Sequence, residues 1–360
     1  MTTKERAQLA GCMKRGPARD VVLEPPHGRG VTCGAISERV AVTGSSDHGL
    51  RVYHGQTGKF SRELFSKTFG HREWVSSVQL SQLTGRVVSG GMDNAICLCD
   101  ASGVRCDYLQ GHECSNSKLL LDSTDTLLSA SYDCTIRACD LKAIASGPKG
   151  LKKDSCADIL VGPHKDPIMD FVWKNSLVAS GDRKGLLAFW DLNKAQAIKT
   201  HLGHLGAVST ISLVETNDSR LIASGGLKDG KVCLFDLRQE APVFSKQLHS
   251  GAVNCVFAFG NQLVSGSADQ SLSFLDLRDT EQTQRLKIGQ SVLGGKGISD
   301  AGLFGLVDGS LVGVDLSLRK TLFAFGASKS GGLRIIEVCE STGVVLVAGE
   351  DPSGLLLSFQ

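Results

Sequence analysis

The stretch His249–Arg278, HSGAVNCVFAFGNQLVSGSADQSLSFLDLR, shows how this chain folds. Three runs rich in strand-forming residues, Ala252–Phe257, Leu263–Ser267 and Ser271–Leu275, are separated by Gly, Asn and Asp. Such runs between turn residues predict three consecutive β-strands. Asp269 suits the second turn because its carboxylate can accept hydrogen bonds from the backbone of its own bend. Alone, this sheet would expose two apolar faces, so it needs copies of itself on either side.

The same pattern recurs along the whole chain, each time with a turn Asp shortly before the end of a strand. In six copies the acid stands six residues before that end, at Asp47, Asp93, Asp133, Asp229, Asp269 and Asp308. In two copies it stands two residues earlier, at Asp182 and Asp351. The strand ends fall near residues 53, 99, 139, 190, 235, 275, 314 and 359. A period of about 40–45 residues is typical of a four-stranded propeller blade, so the sequence predicts an all-β propeller of eight blades.

These residues resemble the WD40 repeat family over nearly the whole chain. The family's Gly-His histidine is found, intact or in degenerate form, at His27, His71, His112, His164, His204 and His249. Its Trp-Asp pair is intact at Trp190-Asp191. The resemblance implies a structural network in each blade between this histidine, a strand Ser or Thr, the turn Asp and the Trp. Because Lys184 stands at the usual Asp position of the Trp190 blade, no blade is expected to keep all four groups.

Eight such units account for all but the N-terminal end of the chain. Residues 1–17 are basic and are expected to form a flexible arm, with residues 18–360 forming one propeller. The last repeat supplies three strands, and the resemblance implies that an N-terminal strand, Val21–Glu24, closes it and leaves no free sheet edge. Seven blades plus an irregular segment is the alternative, because Ser291–Gly297 is rich in glycine.

The composition fits a packed domain without a strong charge preference. Of the 360 residues, 41% are hydrophobic and 21% are charged, and the net charge is +2, which gives no lean toward nucleic acid or membrane. No apolar run approaches the ~20 residues that span a bilayer. The 12 cysteines include Cys99 and Cys139 at the Trp position of their blades, and they are expected to be buried, reduced thiols that form neither disulfides nor a zinc site. An intracellular location follows, with the cytoplasm favoured and the nucleus or cilium left open.

The largest insertion between repeats is Lys142–Cys156, KAIASGPKGLKKDSC. Its Gly, Pro, Ser and Lys residues predict a flexible loop between a third and a fourth strand, on the wider face of the ring. Lys149, Lys152 and Lys153 are candidates for contact with an acidic partner. Together with the basic N-terminal arm, they also motivate an alternative function, an RNA- or RNP-associated propeller, although the near-neutral net charge argues against direct nucleic-acid binding.

A catalytic interpretation finds little support in the sequence. It contains no Ser/His/Asp or HExxH arrangement. The segment Gly225–Lys231 has phosphate-loop spacing, but Val232 follows where Ser or Thr would bind magnesium. We therefore expect no enzymatic activity, no metal, no cofactor and no small-molecule substrate.

The remaining candidate is a surface that binds other proteins. The narrow face of a propeller comprises the loops that lead into the inner strands and the turns between second and third strands. Aromatic and Arg residues are enriched at binding hot spots. The residues expected on this face are Arg72, Trp74, Met92, Tyr132, Lys165, Arg183 and Lys228. For Trp74, burial between blades is an equal alternative. The function favoured is a non-catalytic scaffold or adaptor that holds other proteins in a multiprotein complex.

One motif suggests a narrower function. Leu263–Arg278 resembles the WDxR box of WD40 receptors that recruit substrates to cullin-4 ubiquitin ligases. Asp269, Asp276 and Arg278 match the box, whereas Leu275 replaces its aromatic residue. Arg238 ends a second DxR in the preceding blade. A cullin-4 substrate receptor is therefore a second hypothesis.

Overall fold

The chain begins with a helix, α1 (Thr3–Met13), and a short strand, β1 (Arg19–Val22), and then builds consecutive antiparallel sheets. The structure, a computed structural model, describes residues 2–64, 70–103, 105–146, 151–153, 158–215 and 220–359. Each sheet is a blade, and its first strand is the inner one. Neighbouring inner strands pack side by side in a closed ring.

Each of the first four blades is built from four antiparallel strands. Blade one contains β2 (Val31–Ile36), β3 (Val40–Ser45), β4 (Leu50–His54) and β5 (Phe60–Glu63). Blade two contains β6 (Val75–Leu80), β7 (Arg86–Gly91), β8 (Ile96–Asp100) and β9 (Cys106–Gln110). Blade three contains β10 (Asn116–Leu121), β11 (Thr126–Ser131), β12 (Ile136–Asp140) and, after α2 (Leu141–Ser146) and β13 (Leu151–Lys153), β14 (Asp158–Leu160). Blade four contains β15 (Ile168–Lys174), β16 (Leu177–Asp182), β17 (Leu186–Asp191) and, after a 3-10 turn (Leu192–Lys194), β18 (Gln196–Leu202).

The last four blades follow the same order. Blade five contains β19 (Val208–Glu215), β20 (Arg220–Gly226), β21 (Lys231–Asp236) and β22 (Phe244–Gln247). Blade six contains β23 (Val253–Phe259), β24 (Gln262–Ser267), β25 (Ser271–Asp276) and β26 (Thr283–Lys287). Blade seven contains β27 (Val292–Ile298), β28 (Ala301–Leu306), β29 (Ser310–Asp315) and β30 (Lys320–Gly326). Blade eight contains β31 (Leu333–Cys339), β32 (Val344–Gly349) and β33 (Leu355–Ser358), and β1 completes it.

The eight-blade prediction is confirmed, and the glycine-rich segment that favoured seven blades is a regular inner strand. Glycine is required in β27 because neighbouring groups approach its backbone closely. A Cβ atom on Gly294 would lie 2.5 Å from the carbonyl oxygen of Arg334, and one on Gly297 would lie 2.4 Å from the Phe257 ring. The glycines therefore reflect packing between blades six, seven and eight rather than an irregular segment.

Every inner strand carries a β-bulge directly after its first residue. That first residue is buried in all eight blades: Val31, Val75, Asn116, Ile168, Val208, Val253, Val292 and Leu333. In blades one, five and six the side chain of the bulged residue also bonds to the next blade; for example, Asn254 Nδ2 donates to the carbonyl of Val292 at 2.7 Å. The bulge thus bends each strand at the narrow-face end, and in these three blades it also links the strand to the neighbouring blade.

The N-terminal strand closes the ring, as predicted. β1 pairs antiparallel with β33, with Arg19 opposite Ser358 and Val22 opposite Leu355. The backbone N–H of Leu23 extends the pairing by donating to the Gly354 carbonyl at 2.9 Å. The strand lies slightly earlier in the chain than the expected Val21–Glu24.

The expectation of a flexible arm over residues 1–17 is wrong, because α1 is docked on the propeller. Thr2 and Glu5 form a capping box that starts the helix. Leu9, Ala10 and Met13 are buried in a cluster with residues of blades seven and eight. Lys14 Nζ lies 2.5 Å from a carboxylate oxygen of Asp300 and 2.7 Å from one of Asp315. Burial favours a higher pKa for Asp315, but hydrogen bonds from Lys14 and Ser317 outweigh it and lower that pKa to about 2.

The insertion within blade three also contains more secondary structure than expected. It does connect a third strand to a fourth strand, but it includes α2 and β13 instead of being a loop throughout. β13 pairs parallel with β9, so it adds a fifth strand to blade two. Lys149 lies outside the described residues. Lys152 and Lys153 are described only as backbone of β13, so the structure does not place their side chains.

The expectation that all cysteines are reduced is wrong, because the structure contains disulfide-bonded cysteines. Cys99 and Cys106 lie directly opposite each other on β8 and β9, with a Cα–Cα distance of 4.1 Å, and form a disulfide. Cys139 is also disulfide-bonded. The sequence did not reveal the first bond because the pairing of Cys99 with Cys106 depends on the strand register.

Truncation of the N-terminal segment tests these contacts. Deleting residues 2–17 should lower the melting temperature, because Leu9 and Met13 each lose burial worth roughly 1.5–3 kcal/mol. Deleting residues 2–25 should lower it further and cause aggregation, because the edge of β33 becomes unpaired. Thermal melts and light scattering of the two truncations would measure both effects. If the shorter deletion left the melting temperature unchanged, α1 would not be docked in solution.

Candidate protein-binding face

Six blades share a buried network that joins the two kinds of loop on the narrow face. In blades one to six a histidine Nδ1 lies 2.8–3.4 Å from the carboxylate of the turn Asp. The histidine Nε2 lies 2.7–2.8 Å from a strand Ser or Thr hydroxyl. The sequence contains no histidine after His249, so blades seven and eight lack this network. In blade seven, Asp308 instead accepts the backbone N–H of Ser310 at 2.9 Å.

The expectation that no blade keeps all four groups of the network is wrong for blade four. His164 Nδ1 lies 3.0 Å from Asp182, and His164 Nε2 lies 2.7 Å from the Ser180 hydroxyl. Trp190 Nε1–H donates to the same hydroxyl at 2.8 Å. Asp182, two residues before the usual position, therefore provides the carboxylate of this network. The repeat pattern places that carboxylate at the position of Lys184, whose side chain is 76% exposed.

A second repeated contact presents side chains on this face in eight equivalent places. In each blade, one residue in the turn between the second and third strands donates its N–H to the carbonyl of the residue directly before the inner strand, at 2.8–3.2 Å. The pairs are Ser46 with Gly30, Met92 with Trp74, Tyr132 with Ser115, Arg183 with Pro167, Leu227 with Ala207, Ala268 with Ala252, Val307 with Ser291, and Glu350 with Gly332. We call these sixteen residues the slot residues.

The slot residues are unevenly distributed in size. Blades two to five carry most of the large side chains, namely Trp74, Met92, Tyr132, Arg183 and Leu227. Blades one and six carry Ser, Gly and Ala in the same slots. Trp74 is 44% exposed, which decides against its burial between blades, and Leu227 is 47% exposed. The same backbone hydrogen bond forms in all eight blades, so this unevenness lies in the side chains.

Hydrogen bonds between blades two and three hold the turn that carries Met92. The Ser115 hydroxyl donates to the Met92 carbonyl at 2.9 Å. The Asn116 amide donates to the carbonyls of Gly91 and Ala95 at 3.2 and 3.0 Å. Asn116 occupies the first inner-strand position, where the other seven blades have Val, Ile or Leu. Sequence analysis did not identify this residue, although a polar side chain in an otherwise aliphatic position was a usable signal.

The structure places all seven residues expected on the narrow face within blades two to five. Arg72, Lys165, Arg183 and Lys228 are exposed, as is Trp74, whereas Met92 and Tyr132 are half-buried. Asp166 lies between two cations, 3.0 Å from Lys184 Nζ and 3.9 Å from Arg183. Large apolar side chains and cations therefore share one arc of the face.

Three stretches of the chain, residues 63–100, 195–236 and 241–276, match the WD40 family described as "WD domain, G-beta repeat". The chain is an eight-bladed β-propeller in which these three stretches are WD40 repeats. A crystal structure of the computationally designed Ika8 protein has the same fold, with a TM-score of 0.76, 19% identity, and coverage of 94% of this chain and 98% of that one.

Curated proteins also resemble parts of this chain in sequence. The CCR4-associated factor 4 homolog of Candida glabrata is 26% identical, covering 53% of this chain and 36% of that protein. The guanine nucleotide-binding protein subunit beta of Saccharomyces cerevisiae is 26% identical, covering 58% and 50%. The ribosome biogenesis protein WDR12 homolog of Oryza sativa is 26% identical, covering 68% and 64%. The chain thus spans less than two thirds of the length of these relatives.

The WDxR-like segment of the propeller lies on the wide face, where third strands end. Arg278 pairs with Asp276 at 2.8 Å, and Arg238 pairs with Asp236 at 2.5 Å, in adjacent blades. The side chain of Arg278 is 70% exposed and that of Arg238 is 68% exposed. Asp269 is separate from these pairs because it belongs to the buried His249 network. Leu275 is fully buried at the aromatic position of the box.

A central channel of 660 Å³ runs between the inner strands. Its charged side chains are paired: Lys118 with Asp170 at 2.5 Å and Lys296 with Glu337 at 3.0 Å. Within the described residues, no group of three or more His, Cys, Asp or Glu side chains could hold a metal ion. Across the same residues, no helix has the length and apolar character needed to cross a membrane.

The assignment of Asp182 to the blade-four network can be tested with a neighbouring control. Asp182→Ala should destabilise the propeller by about 2–3 kcal/mol, because it leaves buried His164 and two turn N–H groups without their acceptor. Lys184→Ala should change stability by less than about 0.5 kcal/mol, since that side chain is exposed. Urea denaturation would measure both. Equal losses from the two substitutions would contradict the assignment.

The buried histidines also predict how stability depends on pH. Burial lowers the pKa of His27, His204 and His249 below the usual 6.5. The unfolded chain therefore binds more protons than the folded chain below pH 6.5, so stability falls as the pH drops through that value. His71 differs, since Cys97 and Asp93 outweigh its burial and raise its pKa to about 10. The stabilisation that protonated His71 contributes to the fold is fully present below pH 6.5 and is lost only as the pH rises toward 10.

Melting temperatures measured in low salt should therefore fall between pH 7 and pH 5, before the carboxylates titrate. The lowered pKa values of Asp47, Asp182 and Asp269 place a further loss below about pH 4. A flat profile down to pH 4 would mean that the three histidines are protonated in the folded protein.

Proposed function

We propose that this WD40 propeller is a non-catalytic scaffold or adaptor that holds other proteins in a multiprotein complex, with the cytoplasm as its favoured location. The observation that carries the proposal is the uneven filling of the slot residues. Identical backbone positions carry large side chains in blades two to five and small ones in blades one and six. The fold alone does not require this difference, so binding is the role that accounts for it.

The chemistry of these side chains supports a protein partner. Trp, Tyr and Arg are the residues most enriched at binding hot spots. Trp74 and Tyr132 offer large rigid surfaces, and the hydrogen bonds from Ser115 and Asn116 hold the intervening Met92 turn in place. A surface ordered before binding loses less conformational entropy when a partner docks. The names of the relatives, an associated factor, a subunit and a biogenesis protein, agree with membership of a complex.

A cullin-4 substrate receptor remains the second candidate, because Arg238 and Arg278 occupy equivalent exposed positions in adjacent blades.

The RNA-associated alternative has less support. In the N-terminal segment, Lys14 already pairs with the carboxylates of Asp300 and Asp315. Arg6 pairs with that of Glu340. Those cations are therefore less available to neutralise phosphates.

Cross-linking followed by affinity purification and quantitative mass spectrometry would test the scaffold proposal. Trp74→Ala and Tyr132→Ala should each reduce recovery of bound proteins at least about tenfold, the loss expected for a hot-spot residue. Leu318→Ala is the matched control, since Leu318 is 73% exposed on the wide face. Recovery should be unchanged for this variant.

A double variant, Arg238→Ala with Arg278→Ala, separates the scaffold function from the receptor function. Selective loss of cullin-4 ligase subunits from this variant would favour the receptor function. If all variants recovered the same proteins as the unmodified chain, the narrow face would not be the binding surface.

A further inference from the structure

The slot residues and their neighbours divide into two adjacent patches of different chemistry. The anchor patch consists of Trp74, Met92 and Tyr132 on blades two and three. The basic patch consists of Lys165, Arg183, Lys184 and Lys228 on blades four and five. The two patches meet because Tyr132 and Arg183 occupy the same slot in successive blades.

The basic patch has an excess of positive charge that is exposed to solvent. The side chains of Arg183 and Lys184 are 62% and 76% exposed. Among the described residues of these loops, Asp166 is the carboxylate that pairs with them. The turn acids Asp182 and Asp229 are instead buried against His164 and His204. Four cations thus face one available carboxylate.

The anchor patch has the opposite surroundings. Glu73 and Glu113 are exposed in the loops that lead into blades two and three, where the exposed Arg72 offsets one of these two charges. Negative charge is therefore in excess beside the anchor patch. Carboxylates there repel a ligand that is negatively charged along its whole length. The charge pattern therefore fits a ligand that is apolar at one end and acidic at the other.

We propose that this face binds an extended peptide segment with one large apolar side chain followed by several Asp or Glu residues. The apolar side chain would lie against Trp74 and Met92. The carboxylates would pair with Lys165, Lys228 and Arg183, whose guanidinium can hold a carboxylate with two parallel hydrogen bonds. This inference rests on the proposed scaffold function and specifies the partner that the scaffold recognises.

Selection of a displayed random-peptide library on the full-length protein would test the proposal directly. Enriched peptides should combine an aromatic or aliphatic residue with a cluster of Asp and Glu. For a synthetic peptide of the enriched sequence, fluorescence polarisation should show affinity that falls as salt rises. Arg183→Glu and Lys184→Glu should each weaken binding about tenfold or more, because like charges then face each other.

Matched controls keep the test specific. Lys320→Glu reverses an exposed charge on the outer strand of blade seven and should leave peptide affinity unchanged. All variants should keep the melting temperature of the unmodified protein, since the substituted side chains are exposed. A variant that melts early would be replaced by Arg183→Gln, which removes the charge without reversing it.

The outcomes separate this inference from the function on which it rests. Peptides that need Trp74 but lack acidic residues would overturn the inference and leave the scaffold proposal standing. Failure to select any Trp74-dependent peptide, together with unchanged protein recovery from the Trp74→Ala variant, would overturn both. Displacement of the peptide by single-stranded polyuridylate at equal charge would show a nucleic-acid site and would also overturn the inference.

Discussion

A buried contact between a histidine and a carboxylate fixes the loops that form the narrow face. In blade two, Asp93 lies 3.0 Å from His71 Nδ1 and also accepts the N–H of Arg72 at 2.8 Å and that of Ala95 at 3.3 Å. One carboxylate thus ties the loop before the inner strand to the turn after the second strand. Because the backbone is held from inside, neighbouring surface side chains can vary without changing it. The proposed binding arc depends on this separation between framework and surface.

The two blades without the histidine are the ones to which the N-terminal segment is attached. α1 packs its buried residues against blades seven and eight, and β1 supplies the fourth strand of blade eight. Lys14 adds ion pairs to Asp300 and Asp315 of blade seven. The ring therefore uses two means of stabilisation, a polar network inside blades one to six and an added segment at blades seven and eight.

The architecture was predictable because a repeated turn acid and a constant period are local signals. The number of blades followed from counting these signals, and the closing strand followed from the resemblance to WD40 repeats. What the sequence did not reveal depends on tertiary contacts or on small departures from the repeat. Asp182 reaches His164 from two residues before the usual position, which is apparent only when the turn geometry is known. α1 was missed despite its Thr2–Glu5 capping signature, because three apolar residues form too short a stripe to indicate docking.

The pairing of β1 with β33 also sets an order of events during synthesis. β1 leaves the ribosome before any complete blade, whereas its partner Leu355–Ser358 is made after all the others. Blades one to seven can form from contacts close in sequence, which are rapid, but closure joins segments more than three hundred residues apart in the chain. For most of its synthesis the nascent protein is therefore an open arc of blades, and the ring exists only once translation has reached the final strand.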